Sequence, residues 1–364
     1  MKYIRPPHLT ASFLPDGRLL VKDVTLGIAA KVPPFTATLF ALCSSPQTRE
    51  SIKQKLSEQG AKLFDQLIAN GLLISAEKTT KEQMFDNFAH ISVHRTMLHD
   101  EQRLGIYKKA LQAVVTPESI VIDAGSGTGA LAVYAALAGA KHVYAIENSD
   151  LHAYIHQVAR DSGVEDRITV INQNFANVQL PEKADILVTE TFGAWALAEG
   201  AAADLQKCII QNVKEDGILL PSHVDLWMAP LTNLPPILLE PFRNREDGLN
   251  LSFFEQYARQ RSANIPIDKH GSPTLVSHLS LTENIVKGSI SITEPCKGLA
   301  LWFDLSFPKN IKLQTGPDAP LTHWKQTIVA ASLEVGTHSF QGYPADDDPR
   351  SYILLLNNKE YRIR

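Results

Sequence analysis

The segment "VTETFGAWALAEG", residues 188 to 200, holds two glutamates nine positions apart with no charged residue between them. Surface glutamates usually stand among polar neighbours, so two isolated carboxylates in an apolar stretch invite a chemical reading. Glu190 follows the apolar strand pattern "DILVT" and so falls at the carboxyl end of a sheet, where ligands of open α/β sheets bind. A hairpin-like excursion that returns at Glu199 brings both carboxylates into one pocket. Two like charges forced together raise the pKa of one of them. A permanently protonated, planar guanidinium bound between them removes that conflict. Phe192 and Trp195 are then candidates for aromatic walls around the cation. Spacing alone leaves a second arrangement open, with Glu190 favoured by a helix N-terminus and Glu199 on a solvated helix face.

A second constellation is "VIDAGSGTGA" (121–130), which follows a strand pattern and opens a helix, so backbone amides face whatever lies in the crevice. Glu147 ends the next strand, "HVYAI", where a carboxylate accepts both hydroxyls of a ribose. Gly125, Gly127 and Ala130 satisfy a dinucleotide pattern; Gly125, Gly127 and Gly129 equally fit the nucleoside loop of methyltransferases.

Three regions must position these residues. Residues 1–80 read as a small independent unit. Phe13-Leu14 and Leu19-Leu20-Val21 flank Pro15-Asp16-Gly17, the turn chemistry of a hairpin. Thr36 is expected to cap a helix through Cys43, and Thr48 a second helix ending at Gly60. "KLFDQLIAN" makes a third that stops at Asn70-Gly71, and "LLIS" follows as a strand, in winged-helix order. Residues 81–221 open with a mostly helical stretch ending at Thr116-Pro117. They then alternate strand and helix, which implies a parallel sheet covered on both faces. Across 222–364 the short runs "VDLWMAPL", "SHLSL", "GSISI", "ALWFDLSF", "KQTIVAASL" and "SYILLLN" predict an antiparallel sandwich or barrel. Trp227 and Trp302 fall in these runs and read as core, and "ADDDPRS" (345–351) reads as a solvated turn.

With these motifs in view, "ETFGAWALAE" resembles the double-glutamate loop of protein arginine methyltransferases, and "LTHWKQT" (321–327) their Thr-His-Trp loop. "FDNFAHISVHRTMLHDEQR" (85–103) is similar to the N-terminal helices that fold over S-adenosylmethionine in that family. "VIDAGSGTG" and "VYAIENSD" resemble its first motif and the acidic motif after it, so the likeness runs over about 84–364. It implies a Rossmann-like class I methyltransferase domain, an antiparallel β-barrel domain, S-adenosylmethionine as cofactor, and methylation of arginine in a peptide or protein. Carried over by position, Glu190 and Glu199 clamp the guanidinium, and His323 with Asp100 forms a proton relay or orienting dyad. Arg103 binds the carboxylate of the cofactor's methionine, with His94 nearby. Asp123, Gly125 and Gly127 line the cofactor, Glu147 holds its ribose, and Ala176 offers only backbone near the adenine. Met97 lies beside the attacked methyl, while Phe192 and Trp324 wall the arginine channel.

The chain also departs from the family pattern. Thr191, Phe192, Gly193 and Ala194 replace the usual aromatic-rich run and look closer to the monomethylating branch, and the family's helix tyrosines are Met84 and Phe88 here. The dimerisation arm maps to about 235–270, with "LSFFEQYARQ" a helix, and implies a homodimer. The N-terminal unit resembles the peptide-binding winged helix of ribosomal-peptide maturation, as in the chaperone of pyrroloquinoline quinone synthesis.

Composition bounds the alternatives. The chain has 364 residues, is 44% hydrophobic and 20% charged, and carries a net charge of −4, which disfavours a nucleic-acid binder with a basic face. No apolar run reaches the ~18 residues that span a bilayer. Cys43, Cys208 and Cys296 are far apart and odd in number, pointing to a reducing cytoplasm. His90/His94 and His152/His156 sit at helical i, i+4 spacing without a third ligand, so no metal is expected. Two rival functions remain: methylation of free arginine or another small guanidine, and a non-catalytic peptide-binding protein that keeps the fold. Retention of Glu190, Glu199, His323 and Arg103 together disfavours the second.

Overall fold

The computed structural model describes residues 2–5, 9–14, 16, 18–23, 28–69, 72–75, 91–243, 251–348 and 350–364. The chain separates into two units, Met1–Val93 and His94–Arg364.

In the first unit, β1 (Tyr3–Ile4) is followed by β2 (Leu9–Phe13), β3 (Leu19–Asp23) and β4 (Ile28–Val32), an antiparallel meander. The expected hairpin is therefore three-stranded. Next come α1 (Thr36–Leu42), α2 (Arg49–Ala69) and β5 (Ile74–Ser75), which pairs with β1. Thr48 caps α2 as expected, its Oγ1 accepting the Ser51 N–H at 3.1 Å. Thr36 does not cap α1: it is the first helical residue, and the helix start has no side-chain cap. The break expected at Gly60 lies at Leu56 and Ser57, where Ser57 takes φ 64°. Leu19, Val21, Leu39, Phe40, Ile52, Phe64 and Leu67 make the core, in which both faces of the meander–helix contact are apolar. The Asn70-Gly71 helix stop lies outside the described residues.

The helix α3 (Ile91–His99) carries the chain across the Val93/His94 boundary, and α4 (Glu101–Val114) follows. Asp100 separates them and caps α4 by accepting the Arg103 N–H at 3.0 Å. Tyr107, Ala110 and Leu111 form the buried stripe of α4. Then follow β6 (Ile120–Ala124), α5 (Ala130–Leu137), β7 (His142–Ile146), α6 (His152–Asp161), β8 (Ile168–Ile171), β9 (Ala184–Thr189), α7 (Ala202–Asn212) and β10 (Val213–Leu220). The strands are parallel in the order β10-β9-β6-β7-β8. Every residue of β6 is buried, as a strand covered on both faces requires.

From β11 (His223–Leu231) onward the pairing turns antiparallel. One sheet runs β12 (Ala263–Ile265), β17 (Gln326–Val329), β15 (Gly298–Phe307), β11 and β13 (Thr274–Leu279), with β16 (Ile311–Gln314) added to β15. The other runs β14 (Val286–Ile292), β18 (Gly336–Pro344), β19 (Tyr352–Leu356) and β20 (Lys359–Ile363). α8 (Ser252–Ala258) is the helix expected within 235–270. One hydrophobic core joins Tyr107, Val188 and Trp195 to Phe303, Trp324 and Tyr352, so parallel sheet and barrel are packed as one body.

Candidate active site

The strand order reverses at β6, and ligands of open α/β sheets bind at such switch points. There β6 pairs with β9, Ala124 opposite Thr189, and the Thr189 hydroxyl donates to the Ala124 carbonyl at 2.8 Å. The glycine loop and Glu190 therefore leave the sheet side by side. Sheet topology alone makes them neighbours.

The glycine loop is held from below by its own sheet. Gly125 and Ser126 N–H both donate to the Ile146 carbonyl at 3.0 Å. Gly125 (φ 81°) and Gly127 (φ 54°) take left-handed backbone; a Cβ would meet Thr191 Cγ2 at 2.8 Å at the first and His94 Cε1 at 2.8 Å at the second. Glu147 accepts Gly127 N–H at 2.7 Å and Ser149 N–H at 2.6 Å, one on each oxygen. Asp123 has no exposure, and its Oδ2 accepts Ala132 N–H at 2.9 Å. Burial pushes its carboxyl up to about 7. It braces the loop from inside rather than facing the crevice, which corrects its expected role as a lining residue. Ala176 is buried in the short 3-10 turn Phe175–Asn177, its N–H held by the Asn174 side chain.

Glu190 and Glu199 are joined by a tight hairpin-like loop, not a helix. Gly193 N–H donates to Ala198 O at 3.3 Å, Ala196 N–H to Gly193 O at 3.0 Å, and α7 begins only at Ala202. Trp195, Ala196 and Glu199 take φ of 50°, 61° and 85°. At Gly193 a side chain is excluded, because its Cβ would lie 2.6 Å from Ala198 O. Burial pushes the Glu190 carboxyl up, against the pull of Arg103 and His323. Burial and then the Glu190 charge push Glu199 up to about 8. The Glu190 side chain keeps only 8% of its exposure, and its charge acts on the partly buried Glu199.

The barrel supplies the other wall. His323 Nδ1 and its backbone N–H both reach Asp100 Oδ2 at 2.9 Å, so the expected dyad forms. Burial raises the Asp100 carboxyl, but the His323 and Arg103 hydrogen bonds outweigh it and hold the group below its ordinary value. Trp324 Nε1–H donates to the Phe192 carbonyl at 2.7 Å, and its ring stands edge-on to Phe303. Tyr107, which no motif singles out, donates its hydroxyl to Thr189 O at 3.0 Å and steadies the strand end before Glu190.

Arg103 pairs with Glu190 and gives its Nη2–H to Met97 O at 2.8 Å, while its buried Nε has no protein partner. One further expectation needs correction. Trp195 is 1% exposed and packs on Tyr352 in the barrel core; it is no wall for a cation. Phe192 is buried against Phe303, and its carbonyl is the part that the Thr-His-Trp loop engages. His94 is buried beside Gly127, and Met97 is half-buried on α3. Met84, Phe88 and His90 lie outside the described residues. Among the described residues no group of three or more His, Cys, Asp or Glu is arranged for a metal ion, and no helix is long and apolar enough to cross a membrane.

Comparisons with known proteins agree with this layout. Residues 276–339 match the arginine methyltransferase oligomerization subdomain family, and residues 98–224 the ribosomal protein L11 methyltransferase family. Protein arginine N-methyltransferase 6 of Xenopus tropicalis is 29% identical over 314 residues, 77% of this chain and 92% of the relative. The histone-arginine methyltransferase CARMER of Drosophila sechellia is 28% identical over 312 residues, 74% of this chain and 57% of the relative. The solved Trypanosoma brucei PRMT1 enzyme–prozyme heterotetrameric complex with AdoHcy superposes with a TM-score of 0.68 at 22% identity, over 77% of this chain and all of that one. A PRMT6–SAH structure gives 0.59 at 23% identity, over 73% and 99%. In fold and along about three quarters of its sequence, the chain is similar to the protein arginine N-methyltransferases.

Proposed function

We propose that the protein is an S-adenosylmethionine-dependent N-methyltransferase acting on a guanidino group of arginine in a peptide or protein. One observation carries this reading: two partly buried carboxylates, the charge of one felt by the other, close a loop that opens directly beside a glycine cradle. The residues fit the cofactor. The cradle is closed to any side chain at Gly125 and Gly127, and Glu147 follows the neighbouring strand with one oxygen on the Gly127 N–H and the other on the Ser149 N–H. S-adenosylmethionine supplies an electrophilic methyl group. The chain's own work is positioning. A guanidinium is a poor nucleophile because its lone pairs are delocalised over three nitrogens. Glu190 and Glu199 hold the charge on two of them and turn the third toward the cradle. Orientation of this kind reaches about 7–11 kcal/mol for well-placed reactants. The Asp100–His323 dyad fixes the Thr-His-Trp loop against the far wall and offers a proton acceptor beside the clamp.

The match to a ribosomal-protein methyltransferase family covers only the cofactor half. Target choice therefore rests on the clamp, whose paired carboxylates suit a planar cation better than an amine. Three further parts belong to this proposal: a homodimer through the 235–270 arm, a substrate-peptide role for the N-terminal unit, and a cytoplasmic location. The cysteines in the sequence, all free and buried, support the last. The test is mass spectrometry after incubation with isotopically labelled cofactor, offering arginine-containing peptides, lysine-containing peptides and free arginine in parallel. Label on a peptide guanidino nitrogen supports the reading; label only on free arginine replaces the substrate, and label only on lysine overturns the clamp.

A further inference from the structure

Behind the Thr-His-Trp loop one amide side chain ties three segments of the barrel together. Gln326 opens β17 two residues after Trp324 and is only 3% exposed. Its Oε1 accepts the Ile267 N–H at 3.0 Å, and its Nε2 donates to the Thr315 carbonyl at 2.9 Å. Ile267 lies just past β12, on the segment that returns from α8, and Thr315 follows directly on β16. A primary amide offers an acceptor and a donor side by side, so one residue satisfies a backbone N–H from one segment and a buried carbonyl from another. The loop ahead of it depends on this anchor. Lys325 takes φ 56°, and its N–H returns to the Thr322 carbonyl at 3.2 Å. A left-handed residue other than glycine persists only where its surroundings fix it. On the entering side the hold is slight. Leu321 is exposed, the buried Thr322 hydroxyl has no partner, and the 3.4 Å contact of His270 with Asp318 reaches a solvent-exposed carboxylate. On the exit side β17 is paired between β12 and β15, with Gln326 at its first position. His323 and Trp324 thus reach Asp100 and Phe192 from a base set at residue 326.

We propose that Gln326 is a positioning residue for the Asp100–His323 dyad: its amide pins the exit of the Thr-His-Trp loop to Ile267 and Thr315 and so fixes the placement of His323 against Asp100. Its effect on turnover rests on the arginine reading above. Without the amide, the Ile267 N–H and the buried Thr315 carbonyl both lose their side-chain partner, and the loop exit moves to recover one. His323 moves with it, because only Trp324 and Lys325 separate the two residues.

Three variants test it. Gln326→Met keeps length and removes both hydrogen bonds. Gln326→Glu keeps an acceptor for Ile267 and loses the donor to Thr315, and it decides alone if the first fails to fold. Thr327→Val is the control: it removes the 3.0 Å Thr327–Asn264 hydrogen bond between the same two strands, one residue farther from the loop. Nitrogen-15 NMR of histidine-labelled protein, with the His323 signals assigned by His323→Gln, reads the dyad directly. Single-turnover methyl transfer at saturating cofactor and peptide reads its effect. In both Gln326 variants the His323 ring signals shift and transfer falls about tenfold, within the roughly hundredfold that a misplacement of about 1 Å can cost. Cofactor affinity by calorimetry stays at the wild-type value. Thr327→Val lowers the melting temperature and leaves the His323 signals and the rate unchanged. Unmoved His323 signals in a folded Gln326 variant, or an equal loss of rate in Thr327→Val, overturn the proposal. A wild type that methylates no arginine overturns the functional reading instead, and the His323 signals still decide the role of Gln326.

Discussion

The glycine loop and the glutamate loop leave adjacent strands, yet the first is held by its own neighbourhood and the second from across the chain. Gly127 is tied to Glu147, 20 residues on, and Asp123 reaches Ala132 within the same turn of strand and helix. The glutamate loop hangs on Trp324, 132 residues from Phe192, and on Tyr352 in the last third of the barrel. A nucleotide site braced locally can serve any chemistry. A clamp braced by the barrel exists only when the whole second unit is folded. The division parallels the family matches, in which 98–224 matches the ribosomal protein L11 methyltransferase family and 276–339 the arginine methyltransferase oligomerization subdomain.

Variants can break that contrast. The largest effect belongs to Glu190→Gln and Glu199→Gln, which keep volume and remove charge. Loss of a charge-assisted pair in a dry pocket costs about 2–5 kcal/mol, so single-turnover transfer at saturating cofactor falls tens- to thousands-fold. Melting temperature serves as the control, and wild-type rates would sink the clamp. Next is Glu147→Ala, which removes a charged acceptor worth about 1.5–3 kcal/mol and weakens cofactor affinity about ten- to a hundredfold by calorimetry. Because the bracing is local, the glutamate loop should be untouched, and arginine-peptide affinity measured in the same variant should not change. Trp324→Phe keeps a ring but leaves the Phe192 carbonyl without its donor. That is a loss of about 1–2 kcal/mol, read as a roughly tenfold drop in turnover with cofactor affinity unchanged. A matching loss of cofactor affinity would show that the two loops are braced together after all.

The smallest effect is on stability. Folded Glu199 keeps its proton up to about pH 8, whereas an unfolded glutamate releases it near pH ~4.3. The unfolded state therefore binds fewer protons across that window, and stability falls as pH rises through it. Glu199→Gln escapes this loss. Its melting temperature should equal that of wild type near pH 4 and exceed it by a few degrees, about 2–4 °C, at pH 9. Superimposable melting curves at pH 9 would mean that Glu199 is not held protonated.

The same contrast governs how much was legible in the sequence. The glycine loop, Glu147 and the strand runs from "VDLWMAPL" to "SYILLLN" announce themselves locally, by turn residues, burial and apolar patterning. β10 begins with the exposed charges Lys214, Glu215 and Asp216, which mimic a loop, and β18 carries Gly336, Gly342 and Pro344, which read as breakers. The hairpin joining Glu190 to Glu199 is anticipated by its two carboxylates. The direction of Trp195 is not, because left-handed backbone at Trp195 and Ala196 turns the ring into the core.

The left-handed run in the glutamate loop has a consequence for descent. Each non-glycine residue held in that conformation costs about 1–2 kcal/mol, so Trp195, Ala196 and Glu199 persist only because Tyr352, Trp324 and the Gly193–Ala198 contact fix the loop on every side. A segment so constrained is poor raw material for gradual change, because almost any single substitution there loses either the shape or the charge. The clamp itself is inherited whole or discarded whole.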